Sequence, residues 1–166
     1  MSGAKVYHTL FLCTGNSARS ILAEVIVNRL GRGRFRGFSA GSHPRGEVHP
    51  GALALLREQG EDLRGLRSKS WDEFAQPGAP IMDFVFTVCD SAAGETCPLW
   101  PGQPLTAHWG VEDPAAFVGS ADDQRRAFQR VFAVLERRIE LLTLLNIDAL
   151  DRLSLRRELA EIGNKG

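Results

Sequence analysis

The side chains best suited to chemistry lie in one short segment near the start of the chain. Cys13 is followed, after five residues, by Arg19 and Ser20, and the segment directly follows an apolar run at residues 10–12. A loop of small residues between a strand and a helix turns its N–H groups inward, where they bind a tetrahedral oxyanion. Besides Cys13 at its base, the predicted oxyanion-binding residues are Thr14, Gly15, Asn16, Ser17, Ala18, Arg19 and Ser20.

The residue types in this loop predict a nucleophilic thiol. Inward N–H dipoles, a helix N-terminus and a guanidinium all favour the thiolate of Cys13. Arg19 offers a planar fork that holds two oxygens of a phosphate-like ligand, which lysine cannot do. Ser20 is placed to hydrogen-bond the sulfur, and Asn16 tolerates the left-handed backbone of a tight anion loop. The alternative is a buried cysteine beside a surface arginine, but the strand before and the helix after favour the oxyanion site.

The surrounding chain alternates between strands and helices. The predicted strands cover residues 6–12, 35–40, 84–88 and 105–106, and the main predicted helices cover residues 20–30, 50–60 and 121–142. This alternation predicts an α/β fold: a single domain of three layers, with a central, mainly parallel four-stranded sheet flanked by helices. In such sheets ligands bind beyond the carboxyl ends of the strands.

The size and the net charge of the chain limit the classes of function and partner that it could have. The chain has 166 residues, 43% of them hydrophobic, which is enough for one buried core. Its 20 basic and 20 acidic residues cancel, so a small partner is expected, with no nucleic acid and no membrane. The chain lacks a membrane-length apolar run and a secretory signal, so we predict a cytoplasmic protein. Residues 1–147 are predicted to form the domain, and residues 148–166 an amphipathic extension that docks on it or on a partner.

The two remaining cysteines are predicted to be reactive. Three cysteines in a reducing compartment are better explained as reactive thiols than as a disulfide framework. Cys89 directly follows the predicted strand 84–88, so Cys13 and Cys89 are expected at the same edge of the sheet. Cys97 lies eight residues further on, in a loop that contains proline and glycine.

Two binding functions are weaker alternatives. A zinc site of Cys89, Cys97 and His108 would lack the close paired spacing of structural zinc sites. RNA binding would rest on alternating arginines in a chain of neutral charge with no nearby aromatic platform. Those arginines are Arg32, Arg34 and Arg36.

Together the motifs resemble one protein family. Over residues 6–145 the chain is similar to the arsenate reductases built on the low-molecular-weight tyrosine phosphatase fold. The matching segments are the loop 13–20, the stretch 88–98 with its two cysteines, and the His-Trp-Gly-Val-Glu-Asp-Pro segment at 108–114. Phosphatases of this fold share the loop, so the other two segments indicate the reductase branch.

The resemblance implies reduction of arsenate to arsenite by three thiols. Cys13 would attack arsenic while Arg19 and the loop amides hold the other oxygens, and Asp113 would act as general acid. Cys89 would then attack the Cys13 sulfur to release arsenite, and Cys97 would carry the disulfide to an external reductant. Arsenate is the expected substrate, phosphate and sulfate are expected competitors, and no tightly bound cofactor is expected.

The resemblance does not decide which reductant is used or whether a potassium ion is bound. The gap from Cys89 to Cys97 is one residue longer than expected for the thioredoxin-coupled branch. Thioredoxin is the predicted reductant, and glutathione with glutaredoxin is the alternative. Asn16 and Glu24 match family positions associated with a potassium site; the alternatives for Glu24 are a solvated helix glutamate or a polar group that buttresses the loop. Ala18 replaces a second loop cysteine found in many relatives, which removes an off-path partner for Cys13.

The nearest alternative function is a low-molecular-weight protein tyrosine phosphatase. Such phosphatases usually carry a tyrosine after the Asp-Pro pair and aromatic residues around the pocket. Here Asp113 and Pro114 are followed by two alanines, so the pocket is predicted to suit a bare oxyanion. Residual phosphatase activity is predicted at the same site.

Overall fold

A parallel sheet of four strands forms the centre of the protein. The computed structural model describes residues 5–95, 98 and 100–165. Its strands are β1 (Tyr7–Leu12), β2 (Phe35–Ala40), β3 (Phe84–Thr87) and β4 (Leu105–His108). They lie in the order β2-β1-β3-β4, and every neighbouring pair is parallel. The predicted α/β fold with a parallel four-stranded sheet is confirmed.

Helices follow most of the strands. In the described chain they are α1 (Arg19–Leu30), α2 (Pro50–Glu58), α3 (Asp90–Ala93), α4 (Ala121–Leu144) and α5 (Arg152–Ile162). The longest, α4, begins with a capping box, in which Ser120 and Asp123 each bind the other's backbone N–H through a side-chain oxygen. Within the described ranges, no helix combines the length and the apolar character needed to cross a membrane.

The two faces of the sheet pack against different apolar layers. Alternate side chains, such as Phe11 and Phe86, belong to a large cluster with buried residues of α1, α2, α4 and α5. Leu10 and Val85 belong to a second, smaller cluster that includes the end of a 3-10 turn (Trp71–Phe74). The central strands are therefore buried on both faces, which explains their continuous apolar sequences.

A buried tryptophan and a buried arginine hold the segment that follows β4. Trp109 stacks on Phe86 with ring centroids 3.8 Å apart and donates its indole N–H to the Leu159 carbonyl at 2.9 Å. The Arg138 guanidinium donates to the carbonyls of Trp109 and Gly110 at 2.9 and 3.1 Å. Burial lowers the pKa of Arg138. The carbonyl partners compensate for its lost hydration, so this segment has a fixed path.

The C-terminal helix α5 packs on the same core. Leu155, Leu159 and Ile162 are buried in the large cluster. Just beyond the helix, the Lys165 carbonyl accepts a 2.8 Å hydrogen bond from Nε of Arg138. The helix therefore contributes both apolar area and a polar anchor to the domain.

Removal of a buried side chain from α5 measures what this helix contributes to stability. We expect Leu159→Ala to lower the free energy of unfolding by about 2–5 kcal/mol, because the lost side chain leaves a cavity. Leu153→Ala on the same helix, where the side chain is 64% exposed, should change it by less than about 0.5 kcal/mol. Urea unfolding followed by tryptophan fluorescence measures both values. Equal, small effects would mean that the predicted extension 148–166 is independent of the domain.

Candidate active site

The loop between β1 and α1 presents its backbone N–H groups to a cavity. Within the described chain, the N–H groups of residues 14–18 donate to no other protein group. The loop carbonyls instead turn outward, and those of Thr14 and Gly15 accept 2.9 Å hydrogen bonds from the N–H groups of His43 and Arg45. Converging N–H dipoles of this kind form an anion-binding nest.

A close backbone approach at Gly41 holds this loop from behind. A Cβ atom at this position would lie 2.7 Å from the Cys13 carbonyl oxygen and nearer still to the Thr14 carbonyl oxygen, which is closer than real Cβ atoms come to backbone. Only glycine therefore allows the segment after β2 to pack so near the loop.

The Cys13 sulfur lies at the end of a short chain of hydrogen bonds. Cys13 is 4% exposed, and its Sγ lies 2.9 Å from Ser20 Oγ. Ser20 Oγ accepts a 2.8 Å hydrogen bond from Asn16 Nδ2, so its own hydroxyl proton is available to the sulfur. Asn16 has φ +43°, the left-handed conformation expected for this residue from the sequence. The arrangement stabilises negative charge on sulfur.

Arg19 and Asp113 form an ion pair beside the same cavity. Arg19 Nη2 lies 3.6 Å from Asp113 Oδ2, and Nη1 donates to the Val111 carbonyl at 3.2 Å. The Asp113 carboxylate also accepts a 3.0 Å hydrogen bond from the Ala115 N–H. A guanidinium has five N–H donors, so Arg19 is oriented by these contacts and keeps donors for an oxyanion.

Cys13 and Cys89 line one cavity of about 330 Å³. Cys89 follows β3, and its Sγ lies 3.8 Å from Thr14 Oγ1 of the oxyanion loop. The same sulfur accepts a 3.4 Å hydrogen bond from the Ala92 N–H at the start of α3. Cys97, the third predicted thiol, lies outside the described residues. The fold thus brings a second sulfur to the oxyanion site.

Several polar side chains at this site were missed by the sequence analysis. Glu95 accepts hydrogen bonds from Thr14 Oγ1 at 3.3 Å and Ser42 Oγ at 2.7 Å, and lies 3.5 Å from Nδ1 of His43. His43 and Arg45 also line the cavity. No motif marks these residues, because their contacts depend on how the turn after β2 packs against the loop. The segment that follows Cys89 therefore returns to the oxyanion loop.

The two predicted potassium ligands lie on either side of a lysine. Glu24 Oε1 accepts a 2.5 Å hydrogen bond from Ser39 Oγ and lies 3.8 Å from Lys69 Nζ. Asn16 Oδ1 accepts a 2.8 Å hydrogen bond from the backbone N–H of Lys69. Burial raises the pKa of Glu24, while Ser39 and Lys69 act in the opposite direction. Burial likewise lowers the pKa of Lys69, and Glu24 opposes that shift.

The zinc alternative has little support from His108. Its two ring nitrogens lie 2.8 Å from Thr87 Oγ1 and 2.8 Å from Asp90 Oδ1. Across the residues that the structure describes, no three His, Cys, Asp or Glu side chains are grouped so that they could hold a metal ion. His108 therefore supports the start of α3, next to Cys89.

Comparison with known proteins identifies the family. The family model for low molecular weight phosphotyrosine protein phosphatase matches residues 8–157, which is nearly the whole chain. The chain belongs to this family. The family that the sequence motifs predicted is therefore confirmed.

The similar proteins within this family include arsenate reductases. The arsenate reductase of Bacillus licheniformis is 35% identical over 140 residues, which cover 84% of this chain and 95% of the relative. The crystal structure of an Archaeoglobus fulgidus arsenate reductase matches 81% of this chain and 98% of its own, with TM-score 0.64 and 27% identity. An arsenate reductase in the phosphate binding state matches 81% of this chain and 97% of its own, with TM-score 0.62 and 30% identity.

Phosphate binding tests the oxyanion site. We expect Arg19→Lys to weaken the binding of inorganic phosphate by roughly ten- to a hundredfold, because lysine loses the two-donor fork. Isothermal titration calorimetry measures the affinity. Arg125→Lys, an exposed arginine of α4 whose nearest acidic partner is Glu58 at 3.9 Å, should bind phosphate as the unaltered protein does. Equal affinities in all three proteins would contradict the assignment of this loop.

Proposed function

We propose that this protein reduces arsenate to arsenite. The observation that carries the proposal is that Cys13 and Cys89 line one cavity at a loop whose N–H groups turn inward. Hydrolysis of a phosphate ester needs one thiol and one acid, so a second cysteine at the site adds nothing to that reaction. The reduction of an oxyanion needs two electrons, and a pair of thiols supplies them. The similarity to arsenate reductases supports the same conclusion.

The first step is nucleophilic attack on arsenic. The Cys13 thiolate forms a sulfur–arsenic bond, and one arsenic–oxygen bond breaks. Asp113, which is paired with Arg19 in the ligand-free protein, takes up a proton as the oxyanion binds and gives it to the departing oxygen, which leaves as water. The loop N–H groups and Arg19 hold the remaining oxygens, where negative charge is concentrated.

The second step is the transfer of two electrons to arsenic. The Cys89 thiolate attacks the Cys13 sulfur and forms a disulfide with it. The electron pair of the broken sulfur–arsenic bond stays on arsenic, which leaves as arsenite. Cys97 then attacks the Cys89 sulfur, and the Cys13 thiolate is released for another cycle.

The last disulfide, between Cys89 and Cys97, needs an external dithiol. We propose thioredoxin as this reductant. A relay of three thiols ends in a disulfide between two protein cysteines, and a dithiol protein reduces such a disulfide by thiol–disulfide exchange. Glutathione with glutaredoxin is the alternative, because the gap between these cysteines is one residue longer than expected. A cytoplasmic location, as the sequence predicts, would provide either reductant.

A protein tyrosine phosphatase is the second candidate function, because the family has this activity in its name. The lining of the cavity argues for a smaller substrate. Ala115 follows the Asp-Pro pair, and among the described lining residues none is Phe, Tyr or Trp. The described lining therefore offers a phenyl ring no aromatic side chain to pack against, whereas a bare oxyanion does not need one.

Coupled NADPH consumption tests the reductase. With thioredoxin and thioredoxin reductase present, arsenate should start NADPH oxidation, and phosphate should not, since phosphate is not reduced. Cys13→Ser, Cys89→Ser and Cys97→Ser should each lower the rate to background, because each thiol carries one step. Full activity without Cys89 and Cys97 would contradict the relay. Turnover with glutathione and glutaredoxin alone would support the reductase function and contradict the proposal that thioredoxin is the reductant.

Hydrolysis of p-nitrophenyl phosphate separates the oxyanion loop from the relay. We expect slow hydrolysis that Cys13→Ser abolishes and that Asp113→Asn lowers by roughly 10²–10⁴-fold, because the leaving phenolate needs a proton. Cys89→Ser should leave this rate unchanged, because Cys89 takes no part in hydrolysis. Loss of hydrolysis in Cys89→Ser would mean that Cys89 shapes the loop. Fast hydrolysis without arsenate-dependent NADPH oxidation would favour the phosphatase.

A further inference from the structure

A set of polar side chains, four of them buried and one partly buried, lies behind the oxyanion loop, on the side away from the cavity. We call it the support cluster, and it consists of Asn16, Ser20, Glu24, Ser39 and Lys69. Asn16, Ser20 and Ser39 have no exposed surface, and the Lys69 side chain is 8% exposed. Polar groups buried this deeply persist where they are paired with one another.

One branch of the cluster leads to the nucleophile. The backbone N–H of Lys69 donates to Asn16 Oδ1 at 2.8 Å, and Asn16 Nδ2 donates to Ser20 Oγ at 2.8 Å. Ser20 Oγ lies 2.9 Å from Cys13 Sγ. The position of Lys69 therefore determines how Asn16 and Ser20 present a proton to the sulfur.

The other branch balances a buried charge. Glu24 Oε1 lies 3.8 Å from Lys69 Nζ and accepts a hydrogen bond from Ser39. Lys69 Nζ also donates to the Arg67 carbonyl at 2.8 Å, which fixes the ammonium group in place. The Glu24 side chain is only 16% exposed, so its carboxylate needs a cation beside it, and the Lys69 ammonium is the cation within 4 Å in the described chain.

These residues do not fit a potassium ion. An alkali cation requires oxygen lone pairs around it, and the lysine ammonium has none to give. The amide oxygen of Asn16 already accepts from a backbone N–H, and the ammonium would repel a second cation placed against Glu24. The two predicted ligands are thus engaged by Lys69.

We propose that Lys69 is a built-in cation that positions the oxyanion loop, so that this protein needs no potassium ion for oxyanion binding. Lys69 is a positioning residue: it neutralises Glu24 with its side chain and orients Asn16 with its backbone. The proposal concerns oxyanion binding and stability, so it stands whether the bound oxyanion is reduced or hydrolysed.

The test on the unaltered protein compares cations at equal ionic strength. Phosphate affinity and thermal midpoint are measured in potassium, sodium and tetramethylammonium chloride. We expect affinities within about twofold of one another, because general screening is the same in all three salts. Tighter phosphate binding or a higher midpoint in potassium alone would overturn the proposal.

Two variants test the lysine itself. Lys69→Met removes the cation nearest to Glu24, so the midpoint should fall by roughly 5–10 °C and phosphate should bind about tenfold more weakly. Lys69→Asp adds a second carboxylate, so potassium should raise its midpoint and its phosphate affinity in a way that tetramethylammonium does not. Unchanged phosphate affinity and midpoint in Lys69→Met would overturn the proposal.

The matched control is Lys5→Met, which removes an exposed lysine from its pair with Asp83 at 2.8 Å. This variant should keep the phosphate affinity of the unaltered protein and lose little stability, as is usual for surface pairs. Where Lys69→Met does not fold, the three-salt comparison on the unaltered protein decides the proposal. Every measurement here is of phosphate binding or of unfolding. A result that contradicts the proposal about Lys69 is therefore distinct from a negative result in the reductase assay.

Discussion

The outward turn of the loop carbonyls between β1 and α1 is the constraint on which the active site depends. Converging N–H dipoles repel one another without a ligand, so the peptide planes must be held from outside the loop. The backbone N–H groups of His43, Arg45 and His49 hold these planes by donating hydrogen bonds to loop carbonyls, the last to the Ser17 carbonyl at 2.8 Å. Because Gly41 allows the close approach, the segment after β2 is part of the site: its backbone holds the loop, and its His43 and Arg45 line the cavity.

The remaining groups come to this loop because parallel strands end at one edge of a sheet. Cys13 follows β1, Cys89 follows β3, and Asp113 lies a short distance beyond β4. Hydrogen bonding continues past the strand ends, where the Val111 N–H donates to the Val88 carbonyl at 3.1 Å, so the chain that leads to Asp113 stays beside the residue that precedes Cys89. The residues proposed as nucleophile, acid and second thiol therefore line one cavity.

Local patterns were sufficient to predict the sheet and the oxyanion loop. The second strand was predicted with its observed bounds, Phe35–Ala40, and the left-handed Asn16 follows from its residue type. The last strand runs to His108, beyond the predicted residue 106, because pairing with β3 overrides the weak strand preference of its final residues. Glu95 and Lys69 were missed for a similar reason. Their partners are more than 40 residues away in sequence, so only the folded chain brings them together.

Arg138 joins two distant parts of the chain through one guanidinium. It binds the carbonyls of Trp109 and Gly110, just before the segment that carries Asp113, and it also binds the Lys165 carbonyl near the C-terminus. The segment that leads to Asp113 and the segment around Lys165 are therefore held by the same side chain, so a shift in one affects the other. Loss of the Lys165 carbonyl would remove one acceptor from a buried charge and give the guanidinium freedom to move, and this would loosen the segment that leads to Asp113, the proposed proton donor.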